Sequence, residues 1–102
     1  MVALVESHLA ELKELCPRFQ VSRLDLFGSA ADGTFDDETS DLDFTVEFKP
    51  LDWGEKADHY FGLLQALEDL FGRRVDLVMP GAVKNPYFRE AMDRSRTPLY
   101  AA

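Results

Sequence analysis

A chain of 102 residues, 46% of them hydrophobic, can bury one modest core and is too apolar to stay disordered. Its formal net charge of −8 opposes direct binding to DNA or RNA, which depends on Lys and Arg neutralising phosphates. A single cysteine, Cys16, excludes an internal disulfide and a thiolate zinc cluster, and no apolar run approaches the ~20 residues of a bilayer span.

The first residues lack the basic-then-apolar order of a signal peptide, so a cytoplasmic location is expected. Residues 3–16 have helical spacing, with Val5, Leu9, Leu12 and Cys16 on one face. Pro17 is expected to end that helix, because proline disfavours helical geometry in the residue before it. His8 reads as a solvated surface histidine. Residues 23–28 read as a strand, with Leu24 and Leu26 on one face and Asp25 and Phe27 on the other. Asp25 is expected at a strand edge or in solvent.

That strand ends in Gly28-Ser29, and Ser29 to Asp32 fits one helical turn. A strand closing in a small, flexible turn that opens a helix leaves backbone N–H groups free at its mouth, which favours phosphate. Gly33 then opens a loop rich in turn formers and acids, among them Asp36, Asp37 and Glu38, which read as solvated.

Residues 41–48 alternate clearly, with Leu42, Phe44, Val46 and Phe48 against Asp41, Asp43, Thr45 and Glu47. The apolar face must be buried, and a one-residue slip would bury the charged face instead, so the register is firmly set. Asp41 and Asp43 then share one face, about 6.6 Å apart along the strand. Two carboxylates so placed repel each other unless a cation lies between them. Hard oxygen ligands with room for phosphate oxygens suit Mg²⁺.

A helix is expected from about Trp53 to Phe71, with Ala57, Phe61 together with Tyr60, Leu64, Leu67 and Phe71 as its core stripe and Gly72 as its C-cap. Val75 to Met79 reads as a short strand in which Asp76 is costly to bury unpartnered. Asp76 is therefore either a ligand near Asp41 and Asp43 or a strand-end residue at the sheet rim. Asn85-Pro86 starts a further helix, and the tail 97–100 is expected to pack back on the body. Lys84, Arg89, Arg94 and Arg96 make this end basic; a mixed solvated surface is the plain reading, and holding a nucleotide or an acidic partner is the functional one.

Gly28-Ser29, then Asp41-x-Asp43, then Asp76 within Arg-Val-Asp-Leu-Val, in this order, resembles the polymerase-β-type nucleotidyltransferase superfamily. The string Leu-Phe-Gly-Ser-x-Ala-x-Gly followed by Ser-Asp-x-Asp resembles its minimal nucleotidyltransferase (MNT) branch, and the likeness runs from about Leu24 to Tyr100. The resemblance implies an α/β (α+β) fold, a small mixed β-sheet with helices packed on it, formed by residues 1–102 as a single domain. It implies that Asp41, Asp43 and Asp76 hold two Mg²⁺ ions and that Gly28 and Ser29 cradle the phosphates of ATP. It implies transfer of AMP to a tyrosine hydroxyl of a HEPN-type ribonuclease toxin, with this chain as the antitoxin. Assembly as a homo-oligomer or with the toxin stays open.

One residue departs from the family pattern: Asp32 stands where an Arg is usual. Unit charges ~6 Å apart at an effective dielectric of ~20 interact by about 2.8 kcal/mol, so the reversal disfavours a triphosphate. It keeps in view an alternative, an antitoxin that neutralises its toxin by binding only.

Overall fold

The computed structural model describes residues 2–33 and 41–102, without the side chain of Asp32. The acids Asp36, Asp37 and Glu38 therefore lie outside the described residues. Two short N-terminal helices, α1 (Ala3–Glu6) and α2 (Leu9–Arg18), precede β1 (Val21–Phe27) and the single turn α3 (Ser29–Asp32). Then come β2 (Leu42–Phe48), α4 (Trp53–Phe71), β3 (Val75–Val78), a 3-10 turn at Pro80–Ala82, α5 (Pro86–Ser95) and β4 (Thr97–Ala101).

The strands lie in the order β3-β2-β1-β4. β1 runs antiparallel to β2 and β4, and β2 runs parallel to β3, so the sheet is mixed, as expected. A parallel neighbour needs a long crossover, and α4 supplies it with 19 residues. Asp52 caps its start by accepting the N–H of Glu55 at 2.8 Å, and Gly72, in the left-handed region, closes its end.

Alternation gives the sheet two unlike faces. On one, Leu24, Leu26, Leu42, Phe44, Val46, Val75 and Leu77 are buried in one core with Val5, Leu12 and Cys16 of the N-terminal helices and Leu63, Leu67 and Phe71 of α4. Burial pushes the Cys16 thiol up to about 12, so it packs as an apolar group and is no nucleophile. On the other face, Asp76, Asp43 and Phe27 form one row across the strands, and Val78, Thr45 and Asp25 the next. Helix α5 meets this face through Phe88, set edge-on to Phe27 at 6.3 Å.

Several expectations are corrected. The N-terminal helix breaks at Ser7-His8, and Pro17 lies inside its second half, where a last-turn proline forfeits only one backbone bond. His8 is half-buried, its Nδ1 2.9 Å from the Leu4 carbonyl and its ring against Phe71. The core stripe of α4 is rotated: Leu63 is buried, while Ala57 and Phe61 are exposed, Phe61 by 64%. Strand β3 stops at Val78, one residue early. The tail does pack back on the body as expected, as an edge strand paired with β1 that tolerates Pro98.

Asp25 is the largest correction. It is wholly buried and ion-paired on two sides, with Arg96 Nε donating to Oδ2 at 3.0 Å and Arg23 Nε donating to Oδ1 at 3.2 Å. Strict alternation placed it opposite Leu24 and Leu26, but nothing local showed that α5 and β4 would bring Arg96 over that face. The Arg96 side chain is 15% exposed and that of Arg23 is 47% exposed. Removing one partner of a buried pair leaves an uncompensated charge, so Arg96→Ala should destabilise by about 3 kcal/mol. Arg23→Ala should cost about 1 kcal/mol or less, as exposed pairs do. The urea midpoints of the two variants test that order.

Candidate active site

β1 delivers Gly28 at its end, with φ +73° and ψ −149°, a backbone region essentially restricted to glycine. The neighbouring strand delivers Asp43, paired in register with Phe27 on one side and with Asp76 on the other. A Cβ at Gly28 would lie 2.4 Å from Asp43 Oδ2. Glycine is therefore required twice here, once for the turn and once for the carboxylate seated against it.

Asp43 and Asp76 stand side by side as register partners on parallel strands. Burial pushes the Asp43 carboxyl up first, and Asp76 and Asp41 beside it push it further, to about 7. Asp41 sits just before β2, and Arg74 approaches both Asp41 (3.8 Å) and Asp76 (4.0 Å) with a side chain 74% exposed. So exposed a cation offsets little of the acidic charge.

The three acids of the sequence reading thus meet at one edge of one face, Asp43 and Asp76 in contact and Asp41 beside them. Among the described residues no three His, Cys, Asp or Glu side chains form a ready-made cage. The raised Asp43 carboxyl, crowded by Asp76 and Asp41, marks where a cation would be favoured.

Two clefts adjoin the acids. One of about 630 Å³ is lined by Gly28, Asp43, Phe88, Arg94 and Arg96. The other, about 370 Å³, is lined by Asp43, Asp76, Tyr60 and Phe88. Asp43 and Phe88 line both, so the clefts flank the carboxylates, and each has a volume suited to a small-molecule ligand. Tyr60 donates its hydroxyl to the Leu77 carbonyl at 2.5 Å and ties α4 to the strand carrying Asp76.

Ser29 opens α3, half-buried, as expected. The expected row of free amides is not complete, because the Gly28 N–H donates to Ser95 Oγ at 2.9 Å. Ser95 and Phe88 were missed as site residues. Both come from α5, some sixty residues downstream, and no local pattern ties them to the turn.

Gly28→Ala should destabilise by about 1–3 kcal/mol from backbone strain alone. Its extra cost from the Asp43 clash should shrink in an Asp43→Ala background, which a double-mutant cycle in urea measures. Asp43 also fixes a pH response. Its folded-state value near 7 exceeds the ordinary 3.8, so the folded form holds a proton that the unfolded chain has released. Stability should fall as pH rises from about 4 to about 7, and Asp43→Asn should flatten that fall, read as melting temperature in chelator-treated protein.

The profile of the nucleotidyltransferase domain matches residues 7–97. A Methanocaldococcus jannaschii protein, provisionally named a protein adenylyltransferase, is 37% identical over 92 residues, covering 88% of this chain and 85% of the relative. The protein adenylyltransferase MntA of Thermococcus cleftensis is 39% identical over 82 residues, 79% of each chain. A solved chain, provisionally described as a minimal nucleotidyltransferase, superposes with a TM-score of 0.74 at 34% identity, covering 92% of this chain and 91% of that one. A chain of the complex between tri-AMPylated Shewanella oneidensis HEPN toxin and MNT antitoxin shares the fold, with a TM-score of 0.64 at 18% identity over 95% and 72% of the two chains. With its Gly-Ser turn set against paired aspartates, the chain belongs to the nucleotidyltransferase family, in its minimal branch.

Proposed function

We propose that this chain is a Mg²⁺-dependent protein adenylyltransferase that moves AMP from ATP to a tyrosine hydroxyl of a HEPN-type toxin and so acts as its antitoxin. The carrying observation is the Asp43–Asp76 pair seated against the Gly28 turn. The relatives named protein adenylyltransferases and the AMPylated toxin of the Shewanella complex support the substrate class. With ATP as donor, the reaction belongs in the cytoplasm.

In the reaction the acceptor oxygen forms a bond to the α-phosphorus, the bond from that phosphorus to the β-phosphate oxygen breaks, and pyrophosphate leaves. Asp41, Asp43 and Asp76 would hold two Mg²⁺ ions, which when bound neutralise the entering and leaving oxygens and ease ionisation of the acceptor hydroxyl. The chain's own part is placement. Gly28 lets the Asp43 carboxylate sit against the turn, and Ser29, at the start of α3, would offer its hydroxyl to the phosphates. Tyr60 steadies the end of β3 by its bond to Leu77, and Phe88 walls both clefts. The cleft beside Asp76 leaves room for an acceptor side chain on the side away from the turn.

With ATP labelled at the α-phosphate and Mg²⁺, the chain should transfer label to the HEPN-type toxin proposed as its partner, sought in the product of the neighbouring gene. Asp41→Asn/Asp43→Asn should cut the rate by at least about a hundredfold, as losing a preorganised charge does. Absence of label with the wild type, or equal label with the double variant, overturns the enzyme. If the double variant still neutralises the toxin, binding alone is the mechanism.

A further inference from the structure

The basic cluster of the C-terminal region separates into different roles. Arg89 donates to the Pro80 carbonyl at 2.8 Å and pairs with Asp93. Arg96 is held by Asp25 and Asp93. Arg94 differs. It lines the 630 Å³ cleft with Gly28 and Asp43, and its ion pair is with Glu90, one turn back at 3.0 Å, with side chains 72% and 70% exposed. So exposed a pair within one helix contributes little and can be given up for a better partner.

The helix bearing Arg94 is anchored at the site on both sides of it. Ser95, the next residue, accepts the Gly28 N–H, and Phe88 rests against Phe27. Arg94 is thus carried at a fixed place beside the turn while its guanidinium keeps freedom to move. The cleft wall opposite is acidic at Asp43, so an anionic ligand gains from a cation on the α5 side.

We propose that Arg94 binds the triphosphate of the donor nucleotide, exchanging Glu90 for phosphate oxygens through its planar fork. Guanidinium suits this role because it can give two parallel N–H···O bonds to one phosphate. Arg96, in the same cleft, stays with Asp25, where it holds the fold. The proposal rests on the nucleotidyltransferase reading above and names a residue within that site.

Calorimetric titration of the full chain with ATP in the presence of Mg²⁺ tests it. Arg94→Ala should weaken ATP binding by about tenfold, the range of a hydrogen bond to a charged group. Arg94→Lys should recover part of the loss, and Glu90→Gln should leave binding equal or tighter. The penalty should be smaller for AMP, which lacks the outer phosphates. Melting temperatures of the Arg94 variants should stay near that of the wild type, as the exposure of the Glu90 pair requires. Wild-type affinity in Arg94→Ala, or an equal penalty for AMP, overturns the role of Arg94 and leaves the enzyme intact. A wild-type chain that binds no ATP overturns the nucleotidyltransferase reading, and this proposal with it.

Discussion

The site depends on the approach of Asp43 to Gly28. The carboxylate of one strand rests where a β-carbon of the next would be, on a backbone turn that only glycine adopts easily. This contact sets how near the paired acids lie to the turn that opens α3. A larger residue would push Asp43 away from the turn and so from its register partner Asp76. The sheet register has the same consequence: Phe27 beside Asp43 beside Asp76 is one row, so a shift in either ladder would separate the acids.

Crowding acids in a half-buried row costs stability, which the raised Asp43 value expresses. Like charges crowded in this way repel each other, and a cation between them would relieve that repulsion. The burden is borne by the opposite face of the sheet, where an uninterrupted apolar core holds β1, β2 and β3 between them. The two faces divide the work, one supplying cohesion and the other chemistry.

The C-terminal segment is part of the site although it carries no motif. Arg96 reaches the buried Asp25, β4 closes the sheet edge, and Ser95 caps the Gly28 amide. Together these fix α5 beside the turn and bring Phe88 and Arg94 to the cleft walls. A domain of this size gains a second wall for its cleft by folding its last helix back over the strand that opens it. Trp53 and Phe61 on α4 remain exposed, and their spacing alone does not reveal it.

What was legible in the residues is what repeats locally. Strict alternation from Asp41 to Phe48 set which face of β2 is apolar, Asn85-Pro86 and Gly72 marked helix ends, and Gly-Ser with Asp-x-Asp pointed to the chemistry. These are patterns of neighbouring residues, and backbone geometry turns them into structure directly. The surroundings of Asp25 and Asp76, both acids inside predicted strands, came from packing between distant segments. Asp76 came to lie against Asp43 because β3 aligns in parallel with β2. Asp25 became a buried ion pair because Arg96, 71 residues away, crosses its face. A charge in a strand is either a ligand or a structural ion according to what another part of the chain places over it, and no period in the sequence encodes that contact.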